Sequence, residues 1–176
     1  PIIASGASAC VLHYIENNKV SNDGELMLLD FGAEYANYAA DLTRCIPVNG
    51  KFSARQKEIY NAVLNVHNKA KAMLVVGETW DNYHMKVGQI MTEELLRLKL
   101  ITKEDCKNDD WDNTPWNEAK AYRKYLMHGT SHYLGLDVHD VGSRYRKFEA
   151  GMVFTVEPGI YIPEEGIGVR IENDIL

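Results

Sequence analysis

Two apolar runs, Glu25-Leu26-Met27-Leu28-Leu29-Asp30 and Tyr38-Ala39-Ala40-Asp41-Leu42-Thr43, flank the short polar and aromatic stretch Glu34-Tyr35-Ala36-Asn37. This pattern predicts a β-hairpin over residues 24–47. A turn centred on Tyr35 and Ala36 sets Asp30 opposite Asp41, a cross-strand pair close enough to share a ligand. Asn49-Gly50 closes the unit, and Ser53-Ala54-Arg55-Gln56 is a capping-box pattern. Beyond it Ile59, Ala62, Val63, Val66, Ala70 and Met73 recur at helical spacing, with Gly77 expected to stop the helix. Thr79 is expected to cap a second helix, whose apolar stripe is Tyr83, Val87, Ile90, Met91, Leu95 and Leu98. Residues 101–120 read as an exposed polar loop, its Trp111 and Trp116 serving as a lid, a contact surface or buried anchors. From Tyr125 onward the pattern turns strand-like, with strands near 151–157 and 167–175 separated by a turn at Pro158-Gly159 and a loop at 163–166. Strands, two helices, then strands predict an α+β fold, with helices on one face of a largely antiparallel sheet. Both ends, Pro1–Gly6 and Ile171–Leu176, read like strand interior, so the chain is expected to be a piece of a longer protein.

Composition narrows the classes. At 45% hydrophobic and 25% charged residues, the chain has enough apolar material for a globular core. A net charge of −6 argues against a non-specific grip on nucleic acid, which needs a basic face. Cys10, Cys45 and Cys106 are odd in number and form no Cys-x-x-Cys pair, so they are expected as reduced thiols in a cytoplasmic protein. No apolar run approaches the roughly 20 residues that span a bilayer, and the first residues lack a signal-peptide pattern, so no membrane partner is expected.

Four acids and one histidine carry the candidate chemistry. Asp30, Asp41, Glu157 and Glu172 interrupt apolar strand sequence, where a carboxylate is costly unless it is paired or bound to a cation. His132 lies in the histidine-rich run His128-Gly129-Thr130-Ser131-His132-Tyr133-Leu134-Gly135-Leu136-Asp137-Val138-His139-Asp140. Near these acids in sequence stand mainly Arg44 and Arg170. Two divalent cations would balance four carboxylates. Hard oxygen donors with one imidazole suit Mn²⁺, Co²⁺, Zn²⁺ or Fe²⁺, and paired metals point to hydrolysis. His67 and His84 fall on the helices and are read as solvated or packing residues.

These segments resemble the pita-bread metallopeptidases, in their aminopeptidase P and prolidase branch. The resemblance rests on Leu29-Asp30-Phe31-Gly32 with Tyr38–Arg44, on Met127–Gly142, on Thr155–Tyr161 and on Gly168–Asp174, in the family's order. It implies a curved, mostly antiparallel sheet with helices on its outer face, truncated at both ends, so that residues 1–176 form a partial catalytic domain. Five metal ligands are implied: Asp30, Asp41, His132, Glu157 and Glu172, holding two divalent ions, with manganese the usual activating ion. Glu157 also resembles the general base. His128 and His139 resemble the pair that holds the substrate and steadies the tetrahedral intermediate. His13 matches a histidine lining the same cavity, and Tyr161 and Arg170 match residues around the proline subsite and the ligands. The implied substrate is a peptide with proline in second position, cleaved by a parent protein for which a homo-oligomer is allowed. The alternatives are a prolidase acting on Xaa-Pro dipeptides and a non-catalytic pita-bread module that binds peptide or protein.

Overall fold

The computed structural model describes residues 1–118 and 120–176. Strands β1 (Ile2–Ser5), β2 (Leu26–Asp30) and β5 (Thr43–Pro47) form an antiparallel sheet in the order β1-β2-β5. Strands β3 (Glu34–Tyr35) and β4 (Tyr38–Ala39) make the hairpin tip between β2 and β5.

The hairpin exists, but its register differs from the sequence expectation. Asp30 lies opposite Thr43, not Asp41. The turn is centred on Ala36 and Asn37, with φ of 53° and 68°. Two successive left-handed residues match the right-handed twist of the flanking strands, and asparagine tolerates that conformation better than tyrosine does. The ladder continues outward through Phe31 N–H to Leu42 O (3.0 Å) and Ala40 N–H to Ala33 O (2.9 Å). Gly32 sits against the Ala40 carbonyl, where a Cβ would lie 1.6 Å from the oxygen. Because the register moves by two residues, Asp30 and Asp41 keep the same face and become diagonal neighbours.

Helix α1 (Ala54–Met73) opens with the expected capping box: Ser53 accepts from the Gln56 backbone, and the Gln56 side chain accepts from Ser53 N–H. It ends at Met73, before Gly77; Leu74 leaves helical geometry with ψ of 87°. Gly77, with φ of 91°, serves the following turn, where its N–H reaches Phe148 O. Helix α2 (Trp80–Arg97) begins after Thr79, whose side chain makes no capping bond. The buried stripes Ile59, Ala62, Val63, Val66, Ala70 and Tyr83, Val87, Met91, Leu95 join one core, and α1 packs on both α2 and the C-terminal strands. His67 and His84 are buried packing residues rather than solvated ones. In the following loop, Trp111 stacks on Tyr122 and half-buried Trp116 on His84, so the indoles act as anchors.

The C-terminal part is less strand-rich than expected. Residues 130–134 run antiparallel to 153–157 through Glu157 N–H to Thr130 O, Thr155 N–H to His132 O and Leu134 N–H to Val153 O, with one isolated bridge at Tyr133 and Phe154. The strand expected at 151–157 contracts to β6 (Phe154–Val156). The expected turn at Pro158-Gly159 leads directly into β7 (Gly159–Ile162), a fully buried strand paired with β8 (Ile167–Arg170). The strand expected at 167–175 breaks at Ile171-Glu172 before β9 (Asn173–Ile175), which pairs with β6. The break bends the chain so that Ile171 N–H reaches Pro158 O and Glu172 N–H reaches Thr43 O. All strand pairs are antiparallel, and the fold is α+β. All three cysteines are free thiols. Among the described residues, no helix is long and apolar enough to cross a membrane.

Candidate active site

The breaks between strands place the acids. Asp30 ends β2, Asp41 precedes β5, Glu157 follows β6, and Glu172 fills the gap between β8 and β9. Only Asp30 is within a strand, a correction to the expectation that all four acids are strand-borne. The physical reason is that an interrupted ladder frees the side chain to turn inward. His132 is held by β6: its N–H donates to Thr155 Oγ1 (3.1 Å) and its carbonyl accepts from Thr155 N–H.

All five converge on one cavity of about 310 Å³, which His13, His128, His139 and Arg170 also line. Asp41, His132 and Glu172 each bring one donor atom within 4.8 Å of the others. The His132 Nδ1 bonds the Tyr133 carbonyl at 2.9 Å, which makes Nδ1 the protonated nitrogen and points Nε2 at Asp41 (3.5 Å) and Glu157 (3.7 Å). His13 and His139 are exposed at the rim, the His139 ring 4.3 Å from that of His132. Tyr161 lies behind the wall with no exposed surface. Its hydroxyl accepts from Arg170 Nη1 (3.0 Å) and donates to His128 Nε2 (2.7 Å).

Positive charge is scarce. Arg170 bonds Asp30 and reaches Thr43 Oγ1, its Nε 4.0 Å from Glu172. Arg44 instead grips backbone, at the carbonyls of Thr43 and Glu172, and the Asn173 side chain. The acids respond to this deficit. Burial and the neighbouring Glu172 charge push Glu157 up to about 8. Burial and Asp41 push Glu172 to about 7. Burial also raises Asp30 despite Arg170. Burial pulls Asp41 upward too, but the His132 hydrogen bond and charge hold it below the usual range. His132 is driven down by burial, but its bond to Asp41 prevails and lifts it to about 9. Four carboxylates and an outward-facing imidazole nitrogen, sharing protons for want of cations, fit hard divalent metal ions.

Two participants carried no sequence signal of their own. Thr43 is fully buried, and its hydroxyl donates to Glu172 Oε2 at 2.6 Å while accepting from Arg170 Nε at 3.1 Å. The Asp174 carboxylate accepts the Asp41 N–H at 3.1 Å. Both stand inside motif segments, but a threonine in a strand is usually there for its shape.

Fold and family place the chain among the metallopeptidases. The chain belongs to metallopeptidase family M24, whose model matches residues 1–176, and it has that family's pita-bread fold. It is 47% identical to the Xaa-Pro aminopeptidase of Haemophilus influenzae, over 99% of this chain and 42% of that protein. Zinc-substituted E. coli aminopeptidase P in complex with product superposes with a TM-score of 0.84 at 42% identity, over 99% of this chain and 40% of that one. E. coli aminopeptidase P with the inhibitor Pro-Leu matches equally, with a TM-score of 0.84 at 42% identity over the same shares, 99% and 40%. The chain thus spans about two fifths of the length of these relatives.

Proposed function

We propose that residues 1–176 are part of the catalytic domain of a metal-dependent aminopeptidase that removes the first residue from peptides with proline in second position. The observation that carries this reading is the convergence of Asp30, Asp41, His132, Glu157 and Glu172 on a cavity lined by three further histidines, with Arg170 the main compensating cation. These five residues would hold two divalent ions, manganese being our preferred assignment. Bound there, the ions would supply Lewis-acid polarisation of the scissile carbonyl and acidify water.

The chain's own groups do the rest. Glu157 takes the proton of the attacking water and returns it to the leaving proline nitrogen. His128 and His139 hold the substrate. Both His128 nitrogens are engaged, by the Gly129 carbonyl and by Tyr161 Oη, so His128 contributes its ring to the wall and His139 is the imidazole that donates to the developing oxyanion. His13 closes the rim on the same side. Arg170 and Tyr161 brace Asp30 and His128 from behind. Free carboxylate capacity near the acids favours a substrate's terminal ammonium, which confines cleavage to the first bond. Proline has no N–H and a fixed φ, so its peptide bond needs a dedicated site.

In the intact protein, Glu157→Ala should abolish hydrolysis of an Xaa-Pro tripeptide assayed with Mn²⁺. Full retained activity would overturn the assignment. Wild-type preference for Xaa-Pro dipeptides over tripeptides would move the protein to the prolidase branch. A wild-type protein that binds no divalent ion at neutral pH would favour a binding module.

A further inference from the structure

The loop that carries Trp116 and the short 3₁₀ helix Ala121–Lys124 that follows it both pack against the segment that carries His128, and their contacts are specific. Arg123 donates from Nη1 to the His128 carbonyl (2.9 Å) and from Nη2 to the Met127 carbonyl (2.5 Å). These two successive carbonyls lie in irregular chain, outside any strand, where the guanidinium fork replaces the missing ladder. On the other side, Trp116 stacks on the buried His84 ring, with centroids 4.3 Å apart. A Cβ built at Gly129 would meet Trp116 Cη2 at 3.4 Å and His84 Nε2 at 3.6 Å, so indole and imidazole close over Gly129. The loop itself is tied down. Lys120, 4% exposed, donates to the carbonyls of Asp110, Thr114 and Pro115, and Tyr122 Oη donates to the Trp116 carbonyl.

We propose that Arg123 and Trp116 are positioning residues that set the orientation of the His128 imidazole in the cavity. The His128 ring is held at both nitrogens, by the Gly129 carbonyl and by Tyr161, each at 2.7 Å. Both bonds depend on where the backbone of 127–129 lies, and that backbone is set by the fork and by the indole. The chain from loop to cavity is therefore Lys120, Trp116 and Arg123, then the 127–129 backbone, then the imidazole. This inference rests on the substrate-holding role proposed for His128; the orientation itself does not.

The test is a double-mutant cycle in the intact protein, with Arg123→Ala and His128→Ala, alone and together, assayed as kcat and KM on an Xaa-Pro tripeptide. Manganese content and thermal melting are followed in parallel. Arg123→Ala should lower kcat at least about tenfold with metal content unchanged, since sub-ångström displacement of a catalytic group is costly. In the His128→Ala background the same change should cost nothing further, and Arg123→Lys should restore part of the loss. Independently of activity, the ¹⁵N-imidazole resonances of His128, assigned by their loss in His128→Ala, should shift in Arg123→Ala and in Trp116→Phe. Equal losses in both backgrounds would overturn the proposal. So would unmoved His128 resonances, and that outcome decides even if the wild-type protein cleaves no Xaa-Pro peptide.

Discussion

Loading the site with divalent cations should expel about two protons at neutral pH. Three groups set that number. Glu157, raised to about 8 by burial and Glu172, is mostly protonated at pH 7. His132, raised to about 9 by Asp41 against the pull of burial, is almost entirely protonated. Glu172, raised to about 7 by burial and Asp41, is half protonated. A cation requires all three as bases, and because the groups titrate together the protons leave as a set. The logarithm of metal affinity should therefore climb by about two per pH unit around neutrality, a hundredfold change. Calorimetric titration of the metal-free intact protein with Mn²⁺, in buffers of low and high protonation enthalpy, counts the protons directly. The apparent binding enthalpies should differ by about twice the difference between the buffers' protonation enthalpies. Buffer-independent enthalpies, together with an affinity flat between about pH 6 and about pH 8, would refute the argument that uncompensated acids create the site.

Other outcomes follow from the same geometry. The metal-free protein should lose stability as pH rises from about 6.5 to about 8; below 6.5 the imidazoles of His84 and His128, lowered by burial to about 4 in the folded state, offset the carboxyls. Glu157 and Glu172 titrate higher when folded than their ordinary 4.5, so across that window the folded state holds the extra protons. His132, raised from 6.5 to about 9, acts in the same sense: its contribution is full below 6.5 and gone above 9. Melting in chelator across this range should show the fall, and a flat or rising profile contradicts it. Gly32→Ala should cost about 3 kcal/mol by chemical denaturation and weaken Mn²⁺ binding, because the new Cβ meets the Ala40 carbonyl beside Asp41. Thr43→Val should cost about 1–3 kcal/mol, since it strips Glu172 and Arg170 of a buried hydroxyl while preserving shape. A cost near zero would mean that the hydroxyl is idle.

Local chemistry decided the parts of this molecule that were legible in the chain. Ser53 and Gln56 mark a helix start wherever they stand, because the capping box is completed within one turn. The apolar stripes of α1 and α2 are read equally directly, since a 3.6-residue period needs no knowledge of the partner that covers it. The four acids and the imidazole were legible for a related reason: charge set in apolar sequence demands an explanation, and the motif segments around it supplied one. The hairpin shows where such reading ends. Which two residues form its turn depends on strand twist and on a carbonyl approaching Gly32, so the register emerged two residues away from the reading.

The sequence alone therefore determined the two helices, the α+β class, the family and a set of candidate donor residues, because each depends on residues close together in the chain or on motifs intact within it. The tertiary structure alone decided the break that swings Glu172 inward, the placement of Tyr161 behind the wall, and the clamp of Arg123 and Trp116 on His128. Only folding brings Thr43 to Glu172 and Arg170 to Asp30, across well over a hundred residues of chain. The proton-hungry state of the acids is likewise a property of the assembled cavity, since it arises from shared burial and mutual repulsion that no isolated segment possesses.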